Sequence, residues 1–204
     1  MSDRQLALIR HREELLACVR CPAMIGPVVS GLPVLSPVML VGQAPGAKEG
    51  PAGKPFAWTA GKTLFRWFAS VGLEEERFRQ RVYMAAVCRC FPGKNPKGGD
   101  RPPSPREIES CGGWLQREIE LLQPRLVLPV GKMAIALFLP PAPLAEQVGR
   151  QFRVEKHGIA MDVIPLPHPS GASPWHRMEP GLSLLRQALQ QVDAHPAWRD
   201  ARTG

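Results

Sequence analysis

The chain has 204 residues, 44% of them hydrophobic and 22% charged, which suits one domain with a single sizeable core and leaves little room for two. Lys and Arg number 26 against 18 Asp and Glu, a formal charge of +8 that points to a polyanion or an anionic surface as partner. Pro (23) and Gly (19) make up about a fifth of the chain, so long, stiff loops are expected, but not disorder.

Residues 3–17 place Leu8, Leu15 and Leu16 at helical spacing and end in Cys18-Val19-Arg20-Cys21-Pro22. A Pro/Gly-punctuated loop follows to Pro37, with a short extended piece expected at Val28 and Val29. Val38–Val41 is a continuous apolar run closed by Gly42 and reads as a buried strand. After the loop Gly42–Trp58, the stripe Leu64, Trp67, Phe68, Val71 predicts a helix over Thr59–Val71, stopped by Gly72. Val82–Val87 is a second strand, followed by a long turn from Phe91 to Pro103 that carries Lys94, Lys97 and Arg101.

Ser104-Pro105-Arg106-Glu107 is a capping box with Pro at the first helical position, so a helix should run from there to about Leu122. Leu126–Gly131 is a third strand and Met133–Phe138 a short helix. Residues 151–161 suggest a hairpin turned at Lys156-His157-Gly158, and Asp162–Leu166 a last strand leading to Pro167-His168-Pro169-Ser170-Gly171. A helix is expected over Leu182–Val192 and a loose tail after Asp193. This alternation predicts an α/β fold of three layers, α/β/α, around a central, mostly parallel four-stranded sheet. The whole of 1–204 is expected to form one domain, with the N-terminal helix and its Cys pair tied to the body.

The longest uninterrupted apolar run, Met133 to Leu139, is too short to cross a bilayer, so no membrane partner is expected. Met1–Leu16 mixes charge through its apolar positions, unlike a secretory signal, which makes the cytoplasm the expected setting. Disulfides are rare there, so the five cysteines should be core residues, metal ligands or catalytic thiols. Cys18 and Cys21 have the spacing at which two thiolates reach one metal centre, and Cys88, Cys90 and Cys111 supply further thiols. Four such groups can hold Zn²⁺ or an iron–sulfur cluster.

Gly61-Lys62-Thr63 imitates the end of a phosphate-binding loop, but Phe56 stands where the first glycine belongs; Gly53-Lys54 fails in the same way at Lys48. Nucleotide hydrolysis is therefore rejected. In a parallel sheet the site lies at the carboxyl ends of the strands, which directs attention to Gly42–Trp58, Cys88–Pro103 and Pro167–Pro180.

Several short motifs occur there in order: Gly42-Gln43-Ala44-Pro45-Gly46, then Glu49, then Gly53-Lys54-Pro55-Phe56, the Cys90 and Cys111 pair around a Pro-rich turn, and His168-Pro169-Ser170. With the leading Cys pair, these resemble the uracil-DNA glycosylase superfamily, most closely its iron–sulfur branch, family 4, over nearly the whole chain. The resemblance implies a [4Fe–4S] cluster, with Zn as the alternative, on Cys18, Cys21, Cys90 and Cys111; Cys88 is the surplus thiol and could exchange roles with Cys90. It implies a monomeric, nucleoid-associated enzyme that acts on uracil or related deaminated bases in DNA.

On this reading His168 donates to the base oxygen, with Gln43 and Glu49 as the other catalytic candidates. Phe56 stacks on the extruded ring, the loop of Gly42, Ala44, Pro45 and Gly46 holds base and phosphate, and Ser170 grips phosphate. Trp175 is the expected minor-groove wedge, with His176 and Arg177 on the DNA backbone and Lys94 and Arg101 as further contacts.

Two positions depart from the family. Gln43 stands where family 4 has Glu, and Ala86 where it has an Asn that reads the uracil edge. The first should slow the reaction and the second relax discrimination between bases. A lesion-binding protein without turnover is the competing expectation.

Overall fold

A computed structural model describes residues 1–96 and 98–204; Lys97, one of the expected loop cations, lies outside the described residues. In chain order the elements are α1 (Asp3–Leu16), β1 (Val38–Gly42), α2 (Glu49–Ala52), α3 (Thr59–Ala69), α4 (Glu75–Arg81), β2 (Tyr83–Ala86), α5 (Pro105–Leu122) and β3 (Leu126–Pro129). They continue with α6 (Lys132–Ile135), α7 (Leu144–Gln147), β4 (Phe152–Lys156), β5 (Ile159–Val163), a 3₁₀ turn (Pro174–Arg177), α8 (Gly181–Ala194) and α9 (Pro196–Thr203).

The strands form one sheet in the order β2-β1-β3-β5-β4, parallel except for the edge strand β4, which pairs antiparallel with β5. Side chains alternate across it as strand geometry demands. Val38, Leu40, Met84, Leu126 and Leu128 face the core shared with α3, α4, α8 and α9. Met39, Val41, Tyr83, Ala85 and Val127 face the core shared with α1, α5 and α6. Burial on both faces is why these strands read as unbroken apolar runs.

The expected three layers and mostly parallel sheet are present, with five strands in place of four. The return strand of the expected hairpin is itself the parallel neighbour of β3, pairing Asp162 with Leu126 and Val163 with Val127. Pro165 and Pro167 lack the N–H a ladder needs, so the apolar segment after Val163 continues as buried irregular chain with one bridge, Leu166 to Val130. The piece expected at Val28–Val29 is a lone hydrogen bond from Val29 N–H to Arg89 C=O, beside a bridge between Ile25 and Phe91.

The tail after Asp193 is not loose. It forms α9, whose Trp198 is wholly buried against Phe68 and Phe78 and donates its indole N–H to Val71 C=O at 3.0 Å. Helix α4 was not expected either, because Phe78 is its one buried residue and its other side chains are polar or charged. The capping box forms as read: Ser104 Oγ accepts from Glu107 N–H at 3.3 Å and Ser104 N–H donates to the Glu107 carboxylate at 2.7 Å.

Candidate active site and thiol pocket

Two of the three loops singled out in the sequence, those after Gly42 and Pro167, leave the carboxyl end of the sheet side by side with β3 between them. Gly42 ends β1 opposite Ala86 of β2, and the ladder continues beyond the strands through Val87 N–H to Gly42 C=O and Cys88 N–H to Gln43 C=O. On the other side of β1, Val130 N–H bonds Val41 C=O, and Gly131 N–H bonds Leu166 C=O. The Gly42 turn and the His168 turn are thus separated by two strand spacings, roughly 10 Å.

Phe56 belongs to the first turn. A Cβ on Gly42 would sit 3.1 Å from two carbons of its ring, so the glycine lets the ring press onto the loop. Phe56 itself has φ +54°, in the left-handed region that residues with a Cβ avoid. Its carbonyl meets the first turn of α3 at Gly61, where a Cβ would come within 1.8 Å of the oxygen. Glu49 is half-buried behind the same loop. Burial raises its pKa, against the backbone N–H groups of Phe56 and Gly46, which favour the charged form. The carboxylate therefore faces main chain.

In the second turn His168 lies against Gly131, which has φ +85° and whose Cβ, if present, would be 3.1 Å from the imidazole Cδ2. Ser170 N–H donates to His168 Nδ1 at 3.2 Å, and Ser170 Oγ lies 2.9 Å from the same nitrogen. With Nδ1 occupied as an acceptor, the neutral ring carries its proton on Nε2. Burial, and behind it the charge of His176, push the His168 pKa below the ordinary histidine value. The ring is a neutral donor.

Other expected contacts sit differently. Trp175 is half-buried against the core, its ring so close to Gly181 that a Cβ there would fall 2.7 Å from it. His176 is buried edge-on to Trp67. Neither projects from the loop as a wedge or backbone contact should, because the apolar cost of exposing them is avoided by packing. Arg177 is exposed and Met178 is 60% exposed. The Arg101 guanidinium forks onto Glu107 at 2.6 and 2.8 Å and reaches Ala23 C=O at 3.3 Å. Lys94 pairs with Asp100 at 2.6 Å on an exposed turn. Gln43 and Ala86 are half-exposed at the strand ends, and no hydrogen bond is formed by the Gln43 carboxamide among the described residues.

Beside this end of the sheet lies a cavity of about 480 Å³, lined by Cys18, Cys21, Cys90, Cys111, Arg89 and Trp114 among others. Cys88 is wholly buried and is not part of its wall. The geometry therefore groups Cys90, and not Cys88, with the other three.

Burial and the neighbouring sulfurs push Cys90 up to about 11, and burial followed by Cys111 and Cys18 raises Cys21. Cys111 is instead lowered to about 7, chiefly by the S–H of Cys88, with the Arg89 charge assisting against burial. Thiols that hinder one another's ionisation form a donor set suited to a cationic centre. Two buried N–H groups, on Arg89 Nη1 and Trp114 Nε1, have no protein partner and belong to the same wall. Among the described residues no group of three or more Cys, His, Asp or Glu side chains is gathered closely enough to hold a metal ion.

Beneath it, Glu118 is fully buried, accepts from Tyr83 Oη at 2.8 Å and pairs with Arg89. Burial opposes its charge, yet Arg89, His11 and Tyr83 hold its carboxyl below the usual range.

A helix-covered, mostly parallel sheet with a histidine turn and an aromatic-backed glycine turn at its carboxyl end defines an α/β protein of the class in which ligands are taken at that edge. The chain belongs to the uracil DNA glycosylase superfamily, whose family profile matches residues 30–193. It is 33% identical over 138 residues to the type-4 uracil-DNA glycosylase of Archaeoglobus fulgidus, covering 65% of this chain and 65% of that protein. The type-4 enzyme of Thermotoga maritima is 30% identical over 161 residues, 78% of this chain and 79% of its own. A type-5 uracil-DNA glycosylase of Pyrobaculum aerophilum is 27% identical over 150 residues, 59% and 64% respectively. The match to the Archaeoglobus protein thus spans a little less than two thirds of that relative. No helix among the described residues is long and apolar enough to cross a membrane.

Proposed function

We propose that this chain is a monofunctional DNA glycosylase that hydrolyses the N-glycosidic bond of uracil, or of a related deaminated base, and leaves an abasic site for base-excision repair. The observation that carries this reading is the pairing of the two turns across two strand spacings, one backed by the Phe56 ring and the other presenting the Nε2–H of His168.

The base must first leave the stack, at a cost of a few kcal/mol. Stacking on Phe56 returns roughly 1–3 kcal/mol of that. As the bond to the sugar breaks, negative charge collects on a base oxygen, and the Nε2–H of His168 donates to it. A ring already neutral and already oriented by Ser170 needs no rearrangement at that moment, which is where electrostatic stabilisation gains its size. The Gln43 carboxamide orients the attacking water. Backbone amides of Gly42–Gly46 and the Ser170 hydroxyl hold phosphate and base. Where Trp175 stays in the fold, exposed Met178 is the apolar side chain that enters the minor groove, with Arg177 on the phosphates.

Cys18, Cys21, Cys90 and Cys111 would hold a [4Fe–4S] cluster. When bound, it supplies a covalent tie between the N-terminal segment and the body. A brown protein with iron and sulfide supports this assignment; colourless protein holding zinc overturns it.

Alkali treatment after incubation with uracil-containing single- and double-stranded oligonucleotides tests the activity. Strand scission is expected at the uracil. Intact strands at stoichiometric enzyme, for uracil, hypoxanthine and xanthine, overturn it. A second reading, retention of the lesion without turnover, is favoured by the amide at Gln43 and the missing reader at Ala86. It predicts tight binding to uracil DNA with every glycosidic bond intact, and Gln43→Glu would then create turnover.

A further inference from the structure

Phe56 adopts a backbone conformation that its own Cβ disfavours, and something must hold it there. The surrounding contacts identify the agent. Arg79, on α4, reaches across to the loop and donates from Nη1 to Pro55 C=O at 2.8 Å and from Nη2 to Phe56 C=O at 3.3 Å. Its Nε donates to Glu75 at 3.0 Å, and the guanidinium lies 4.5 Å from the centre of the Phe65 ring. Arg79 is 14% exposed, so this fork is largely sheltered from water and its bonds are not diluted by solvent. On the other side of the same peptide, the Glu49 carboxylate faces the Phe56 N–H, and Gly61 leaves room for the Phe56 oxygen. Arg79 thus holds the main chain of Phe56 while the ring rests on Gly42.

We propose that Arg79 is a positioning residue for base recognition: its two-pronged bond to the Pro55 and Phe56 carbonyls locks Phe56 in the left-handed conformation that lays the ring against Gly42 as a stacking platform. The planar guanidinium suits this, because it presents two N–H groups in fixed relation to adjacent carbonyls, which an ammonium cannot. Pre-forming the platform removes the ordering cost that a mobile aromatic would add each time a base is extruded. The proposal rests on the glycosylase reading for its consequence, but the lock itself is a property of the free protein.

Two measurements test it. The first is single-turnover cleavage of uracil DNA by Arg79→Met, Phe56→Ala and the double variant. Each single change is expected to slow cleavage about 10- to 100-fold, the scale of one lost stacking contact. The double variant should be no slower than Phe56→Ala by more than about twofold, since Arg79 acts through Phe56. Multiplying losses would show an independent role and overturn the lock. If Arg79→Met does not fold, Arg79→Lys takes its place in the same cycle.

The second measurement needs no turnover: 4-fluorophenylalanine placed at position 56 should give one sharp fluorine resonance, which splits or broadens in the Arg79 variant. An unchanged line overturns the proposal even in a fully active enzyme. A wild-type protein that neither cleaves nor retains uracil DNA defeats the glycosylase reading alone, and the fluorine spectrum still decides the lock.

Discussion

The ring of Phe56 lies on Gly42 so closely that a single added methyl group at 42 would meet two ring carbons at 3.1 Å. This contact joins the loop after β1 to the segment before α3, and it makes the absence of a side chain at 42 a requirement of the site. Gly42→Ala is expected to displace the ring by a few tenths of an ångström, leave the melting temperature nearly unchanged, and slow uracil release about tenfold. Stopped-time cleavage assays beside a thermal melt would check it; full activity would show that the ring position is not critical.

His168 is expected to act on the leaving base and not on DNA affinity. His168→Ala should lower the cleavage rate about 10²- to 10³-fold, the usual cost of one positioned donor. Binding to uracil DNA, measured over a salt series, should change less than threefold, because the phosphate contacts are untouched. A parallel loss of both would contradict the role.

The two neighbouring thiols should behave differently. Cys90→Ala should strip iron and the visible absorption from the protein. Cys88→Ala should retain both, since Cys88 lies outside the wall of the cavity and serves Cys111 as a hydrogen-bonding neighbour. Iron and sulfide analysis of the two purified variants decides between them.

Acid stability should depend on Glu107. Arg101, with Ser104 assisting, lowers its pKa to about 2 from an ordinary value near 4.5. A carboxylate depressed on folding stabilises the protein above the unfolded pKa and loses that contribution as pH falls through the folded one. Between about pH 4.5 and 2 the wild type should therefore lose stability on the order of 2 kcal/mol more than Glu107→Gln. Urea melts at a series of pH values would reveal parallel curves if the pair contributes nothing.

The final helix should be required for folding stability. Trp198→Ala removes a wholly buried indole and its hydrogen bond to Val71, and should destabilise the protein by about 3–5 kcal/mol. A denaturant midpoint close to that of the wild type would show the helix to be dispensable.

The amino-acid sequence alone determined the layered α/β architecture, because strands buried on both faces are unbroken apolar runs and α5 begins at a capping box. It also placed the glycine and histidine turns at strand ends, since those motifs are short and local. Tertiary structure alone decided what the side chains at those ends do. The same residue type, Trp, is wholly buried at 198, half-buried against the core at 175 and 57% exposed at 58, and no local pattern separates these outcomes. Arg79 and Arg101 carry charge that a sequence offers to solvent or DNA; Arg79 instead forks onto Pro55 and Phe56, 24 and 23 residues away, and Arg101 forks onto Glu107 and reaches Ala23 C=O, 78 residues away. Helix α4, and the joining of the 151–161 hairpin to the parallel sheet, were invisible for a related reason. Both depend on neighbours brought in by the fold, while periodicity in a sequence records only which face of an element is apolar.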